Sequence, residues 1–179
     1  MSTGQEYLKD VAERFHQFKD QADRAIAQAS DDDLFRTLDP ESNSIAVLMR
    51  HLAGNMRSRW VQFLTSDGEK PDRHRDQEFQ IPAETTPEAL HADWESGWKC
   101  LFDELSTLTP ADLEKTVLTR HEPTSALSAI NRQLGHAALH IGQMIMLAKH
   151  FRSGAWQTLT IPRGQSEAFN EQMRKKFAK

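Results

Sequence analysis

Two histidines stand four residues apart in the stretch "NRQLGHAALHIGQMIMLAKHF", at positions 136 and 140. Residues at this spacing on a helix lie on the same side, with Cβ atoms about 5–6 Å apart. His136 and His140 can therefore converge on one metal ion through ligand bonds of about 2.0–2.1 Å. Such a chelate needs a third ligand, and His51 in "IAVLMRHLAGNMRSRW" offers one from a separate segment.

The same spacing also fits ordinary histidines that border a hydrophobic core, and both interpretations stay open at this point. Position 137 is alanine, so the HExxH pattern of zinc proteases is absent. No acid or base in the sequence is visibly tied to the three histidines, although Asn55 lies one helical turn after His51 and could orient a ligand. Three imidazoles would add no ligand charge, so a divalent ion bound by them would be a good Lewis acid.

Four long segments with helical periodicity must position these side chains. They are predicted over residues 5–27, from the N-cap Ser44 to residue 64, from residues 86–87 until Pro110 ends the helix, and from residue 124 or 125 to about 152. A short helical turn is expected after Ser30, and a short C-terminal helix with Ser166 as its cap. The only strand-like piece, "WQTLT", is too short to support a sheet.

These elements predict an all-α fold, namely a four-helix bundle with a long loop between the second and third helices and a short C-terminal helix. On the fourth helix the predicted core stripe consists of Leu127, Ile130, Leu134, Ile141, Ile145 and Ala148. His136 and His140 fall at the edge of this stripe, and His51 falls at the edge of the stripe on the second helix. Edge positions suit a pocket that is open to solvent.

Composition limits the class of protein. The 179 residues are expected to form a single domain over residues 1–179, and the net charge of −4 gives no sign of a nucleic-acid surface. The single cysteine, Cys100, excludes a disulfide framework and a cysteine-based zinc site. No signal-peptide core and no apolar run of about 18 residues is seen, so no membrane span is expected. A reducing cytoplasmic compartment is the default expectation.

Several strings resemble the DinB-like superfamily of metal-binding four-helix bundles. "LDPESNSIAVLMRHLAGNM" is similar to its second-helix segment, whose histidine is the first metal ligand. "LGHAALHIGQMIML" is similar to its fourth-helix segment, which supplies the other two ligands, and "WQTLTIPRGQSEAFN" resembles the tail of a branch of unknown function. The resemblance extends over nearly the whole chain. It implies that His51, His136 and His140 are the metal ligands.

The resemblance also implies a single divalent ion, most often Ni²⁺ or Zn²⁺, and a homodimer. Some relatives transfer low-molecular-weight thiols such as bacillithiol or mycothiol. We therefore expect a metal-dependent thiol transferase or hydrolase that acts on a small molecule, with no nucleic-acid or membrane partner. Two alternatives stay open: a non-catalytic metal-binding or dimeric interaction module, and a helical bundle that binds no metal.

Overall fold

Helices make up 66% of the chain, and one two-stranded sheet accompanies them in the computed structural model, which describes residues 1–178. The helices are α1 (Thr3–Ile26), α2 (Asp31–Phe35), α3 (Ile45–Trp60), α4 (Pro87–Thr107), α5 (Ala126–Arg152) and α6 (Ser166–Phe177). Single 3-10 turns occupy Arg75–Phe79, Pro110–Glu114 and Ser153–Ala155. The strands β1 (Thr116–Thr119) and β2 (Glu122–Ser125) form an antiparallel hairpin. The expected all-α class is confirmed.

Side-chain caps fix where most helices begin. In five helices a serine or threonine side chain accepts a hydrogen bond from the backbone N–H three residues further on, and these residues are Ser2, Ser30, Ser44, Thr86 and Ser125. Such bonds satisfy backbone donors that a helix start leaves free. The C-terminal helix is present, but its predicted cap is wrong, because Ser166 is already the first helical residue.

The four long helices meet around an aromatic core. α3 packs along α4, α1 packs along α5, and α3 also contacts α5. Trp60 and Trp98 are completely buried, and the edge of Phe15 meets both of them, with ring centroids 6.0 and 6.4 Å apart. α3 ends four residues earlier than predicted, because Val61 is extended and Gln62 adopts a left-handed conformation with φ 55°.

The hairpin was not expected from the sequence. Its two turn residues, Arg120 and His121, have φ of 52° and 65°. Two-residue hairpins of this kind favour Asn-Gly or Asp-Gly, so the usual sequence signal is absent. The Asp67 carboxylate holds the turn instead, since it accepts hydrogen bonds from the backbone N–H groups of Arg120 at 2.8 Å and His121 at 2.7 Å.

The stretch "WQTLT" forms no sheet, as expected, and residues 156–160 are irregular. The backbone N–H and carbonyl groups of Gln157 form hydrogen bonds with a side chain and not with a neighbouring strand. The amide of Gln28 accepts from the Gln157 N–H at 2.7 Å and donates to its carbonyl oxygen at 3.0 Å. Among residues 1–178, no helix combines the length and the apolar character that crossing a membrane requires.

Gly97 lets α4 approach α3 at close range. A Cβ atom at position 97 would lie 2.5 Å from the Cα of Ala53 and 2.9 Å from its Cβ. These are backbone and short side-chain atoms that cannot rotate away. The separation of α3 and α4 therefore depends on this glycine, and α3 carries His51.

We predict that Gly97→Ala destabilises the protein by about 1–3 kcal/mol, because the added methyl group forces two packed helices apart. Urea unfolding followed by circular dichroism measures the effect. Gly154→Ala is the control, since a Cβ at that position, beyond the end of α5, meets no atom within 4 Å. The control should be neutral or slightly more stable, because alanine restricts the unfolded chain more than glycine does. Equal destabilisation of both variants would contradict the close-packing argument.

Candidate metal centre

Three imidazole nitrogen atoms converge between α3 and α5. The Nε2 atom of His136 lies 3.2 Å from Nε2 of His51 and 3.1 Å from Nε2 of His140. The potential ligand atoms of all three residues lie within 4.8 Å of one another. Ligand bonds of about 2.1 Å at angles between 90° and the tetrahedral value place nitrogen atoms about 3.0–3.4 Å apart. The two short distances match that range.

The packing of α3 and α5 against the hydrophobic core determines the direction in which each histidine points. His51 is 4% exposed within α3, whereas His136 and His140 are only partly buried. On α5 the buried face is rotated toward the histidines relative to the predicted stripe. Met144 is buried, and Leu127, which was assigned to the stripe, is exposed. The two α5 histidines therefore lie closer to the interior than the helical wheel predicted.

The sequence offered no acid or base tied to the histidines, and the structure corrects this. The Glu78 carboxylate, in the 3-10 turn Arg75–Phe79, lies 2.8 Å from Nδ1 of His51. Arg73 in turn donates two hydrogen bonds to Glu78, from Nε to Oε1 at 2.8 Å and from Nη2 to Oε2 at 3.0 Å. An outer carboxylate of this kind orients a ligating histidine and fixes its tautomer.

Gly54 makes room for this carboxylate. A Cβ atom at position 54 would lie 2.5 Å from Oε1 of Glu78 and 2.9 Å from its Cδ. Because Gly54 follows His51 by three residues on α3, the loop carboxylate can reach the imidazole across the helix surface. The predicted loop between the second and third helices therefore contributes directly to the site.

The electrostatic environment keeps Glu78 ionised and the α5 imidazoles neutral. Burial alone would raise the pKa of Glu78, but the hydrogen bonds and charges of His51 and Arg73 outweigh it and lower the pKa. Burial lowers the pKa of His136 to about 3, and the nearby His140, His51 and Arg73 add to the effect. Burial also lowers the pKa of His140, against an opposing hydrogen bond from Gln143. Neutral imidazole is the form that binds a metal.

The proton positions in this cluster fit a bound cation. His51 donates its Nδ1 proton to the ionised Glu78, and Nδ1 of His140 lies 2.8 Å from the Gln143 side-chain oxygen, to which it donates. If both rings are neutral, their Nε2 atoms therefore carry no proton, and the lone pairs of both face Nε2 of His136. A neutral His136 has at most one proton to place there. When all three rings are neutral, at least one pair of nitrogen atoms thus meets lone pair to lone pair unless a cation lies between them.

A cavity of about 350 Å³ adjoins the histidines, and it is called the site cavity below. His51 and His136 line it together with residues of α3, α5 and the β1–β2 hairpin. Asn55, which the sequence suggested as an orienting residue, lines this cavity too and contacts none of the three histidines through a hydrogen bond among residues 1–178. The geometry thus brings together a cluster that could hold a metal and a space that could hold a small molecule.

Among known protein families, the chain matches the model of a protein of unknown function, DUF1572, over residues 2–165. The chain belongs to the DUF1572 family. No curated protein matches it. The match includes α1 to α5 and the loops that carry Glu78 and Arg73, so the whole candidate centre lies within the DUF1572 region.

We predict that Glu78→Gln weakens divalent-metal affinity by about 10–100-fold, because the neutral amide holds the His51 ring less firmly and gives up the charge that favours the Nδ1 proton. Competition with a metal-sensitive dye at fixed pH measures the affinity. Asp76→Asn is the matched control, since its carboxylate lies in the same turn and is 96% exposed. An affinity within twofold of the unmodified protein would show that Glu78 does not support the centre.

Proposed function

We propose that this DUF1572 protein binds one divalent metal ion, Ni²⁺ or Zn²⁺, through His51, His136 and His140. We further propose that it uses the ion in the transfer of a low-molecular-weight thiol, or of water, to an electrophilic small molecule. The observation that carries the proposal is the convergence of three Nε2 atoms between which at most one proton can lie when the rings are neutral. A divalent cation satisfies all three lone pairs together.

The donor set fits the proposed ion. Imidazole nitrogen suits both zinc and nickel, and three neutral ligands leave the charge of the ion uncompensated. When bound, such an ion lowers the pKa of a water or thiol ligand, which is the chemistry it supplies. Glu78 and Arg73 hold His51 in the tautomer that presents Nε2, and Gln143 does the same for His140.

The site cavity supports a small-molecule substrate. Its volume of about 350 Å³ lies within the usual range for ligand pockets. Trp60 and Phe63 line it as stacked rings, with centroids 5.0 Å apart, and provide an apolar surface beside the polar groups. His51 and His136 line the same cavity, so a compound bound there can contact the proposed ion.

The resemblance to the DinB-like superfamily supports the reaction class, since some of its members transfer low-molecular-weight thiols. We take the packing of α1, α3, α4 and α5 as the four-helix bundle of that superfamily. A cytoplasmic setting belongs to the proposal as well, because a cellular thiol pool and a lone cysteine, Cys100, both fit a reducing compartment.

A non-catalytic metal-binding module is the second candidate, and one observation favours it. Glu78, the carboxylate that contacts His51, is not among the residues that line the site cavity. The carboxylate that does line it, Glu122, hydrogen-bonds to none of the three histidines among residues 1–178. A general acid or base in contact with both the cavity and the centre is thus not evident in the described structure.

We predict that protein purified without an affinity tag contains about one divalent ion per chain, and that His136→Ala loses it. Elemental analysis measures the content, and thiol consumption in the presence of an electrophile such as monochlorobimane measures activity. His150→Ala is the matched control, because His150 is an exposed histidine on the same helix. Its metal content and rate should match those of the unmodified protein.

Two outcomes separate the candidates. Stoichiometric metal without any thiol- or water-transfer activity would favour the non-catalytic module. Metal content that is equally low in the unmodified protein and in His136→Ala would leave a helical protein without a metal centre and would overturn both candidates.

We also propose that the chain forms a homodimer, as the resemblance implies, and that the two copies meet through the outer face of α5. Leu139 and Met146 lie on that face and are 62% and 50% exposed. Gly135 and Gly142 flank them, and a Cβ atom at either glycine would meet no other atom within 4 Å. A second copy could therefore approach this face closely.

We predict that Leu139→Glu combined with Met146→Glu converts a dimer into a monomer, because the two charges would be buried at the contact. Size-exclusion chromatography with light scattering measures the mass. Leu118→Glu is a control at an exposed apolar residue outside α5. A monomeric unmodified protein, or a dimer that survives the double substitution, would contradict this association.

A further inference from the structure

Positive charge dominates the wall of the site cavity. Five arginines line it, and they are Arg59, Arg73, Arg75, Arg120 and Arg132. One carboxylate, that of Glu122, lines it as well. The protein as a whole carries a net charge of −4, so this concentration of arginine is a local feature and not a consequence of composition.

Four of these arginines have an acidic partner among residues 1–178, and Arg132 does not. Arg73 binds Glu78, and Arg75 lies 3.6 Å from Asp76. A single Glu69 oxygen is shared by three of them, at 3.2 Å from Arg59 Nη2, 3.3 Å from Arg73 Nη1 and 3.2 Å from Arg120 Nε. Arg132 is exposed at the cavity, and none of the ion pairs among residues 1–178 includes it. A guanidinium presents five N–H donors, so those of Arg132 are free to bind a ligand, and Arg59 shares its one acidic partner with two other arginines.

Buried polar atoms at the cavity also lack partners within the described structure. Nη1 of Arg59, Nε2 of Gln133 and Oδ1 of Asn55 are all inaccessible and form no hydrogen bond. Gln133 is 5% exposed and Asn55 is 7% exposed, and both line the cavity. Buried polar atoms are nearly always hydrogen-bonded, so the two donors, Arg59 Nη1 and Gln133 Nε2, leave unused donor capacity beside the cavity, whereas Asn55 Oδ1 is an acceptor and gives no support for an anion.

The pKa of Arg59 also reflects the excess of positive charge around it. Burial lowers its pKa, and the neighbouring Arg73, Arg132 and Arg120 lower it further, against the opposing charge of Glu69. The surroundings thus disfavour one more positive charge at this place, and an anion in the cavity would remove that penalty.

We propose that the site cavity binds a small molecule through a carboxylate or phosphate group, with Arg132 and Arg59 as the principal contacts. The identity of this compound as the substrate or thiol cofactor of the centre rests on the proposed function, whereas anion binding itself does not. Both contact residues share a helix with a proposed metal ligand. Arginine is suited to this role because its planar fork matches the oxygen atoms of either group.

The helix spacing sets the length of the compound. Arg132 precedes His136 by four residues on α5, which is about 6 Å along the axis, and Arg59 follows His51 by eight residues on α3, which is about 12 Å. The anionic group is therefore expected about 6–12 Å from the reacting group of the same molecule. A small acidic metabolite or an acidic thiol has this form, whereas an uncharged apolar compound would offer the arginines no acceptor.

The test is anion binding by metal-free protein at constant ionic strength, measured by isothermal titration calorimetry. Inorganic phosphate and succinate are the two anionic probes, and succinamide is the neutral match for succinate. We expect at least one anion to bind and succinamide not to bind, and the stronger anion identifies the group. Arg132→Gln should weaken that anion at least tenfold, while Arg152→Gln, a change at an exposed arginine at the far end of α5, should leave it unchanged.

Arg132 is exposed, so its replacement is not expected to affect folding, and the melting temperature checks this. Failure of both anions to bind, equal binding of succinate and succinamide, or unchanged affinity in Arg132→Gln would each overturn the inference. Elemental analysis of the unmodified protein separates the two proposals. Anion binding by an unmodified protein that contains no metal as purified would leave this inference standing while the metal proposal fails.

Discussion

The Nε2 atoms of three imidazole rings converge on one point, where neutral rings can supply at most one proton. Much of the surrounding structure holds the rings in that arrangement. His51 comes from α3, and His136 and His140 come from α5, so the contact depends on how closely these two helices lie. Gly97 sets the depth of α3 against α4. The close packing of these helices therefore determines where the three nitrogen atoms lie.

The segment between α3 and α4 is polar and lacks long helices, yet it is ordered by charge. Arg73 and Glu78 form a two-bond pair that leads directly to His51. Asp67, at the start of the same segment, fixes the hairpin turn, and Glu69 joins arginines from three parts of the chain. Partly buried charged groups of this kind are favourable only when they are hydrogen-bonded to partners, which ties the loop to one conformation.

Much of this arrangement was predictable from local sequence. Ser44 and Pro87 mark helix starts by the chemistry of their own side chains, and the His136–His140 spacing places two rings together on any helix. The class of fold and the proximity of His51 to the other two agree with expectation. Metal binding by the three residues stays a prediction.

The missed features all depend on contacts between distant residues. Glu78 is one of several acids in a polar loop, and nothing local distinguishes it from Asp76; only Gly54, on another element, gives it access to His51. A helical wheel gives equal weight to every apolar residue of α5 and so predicts Leu127 in the core, whereas Leu127 is exposed and Gln133 is buried. The hairpin was missed because Arg120 and His121 occupy a turn that usually requires asparagine and glycine.

That turn has a consequence for how the protein can diversify. Residues with positive φ that are neither glycine nor asparagine cost free energy, and here the cost is met by Asp67, outside the turn itself. Arg120 and the strands on either side line the site cavity but hold none of the three histidines. Changes at the two turn residues would therefore alter the wall of the site cavity at a place that makes no contact with the three imidazole rings.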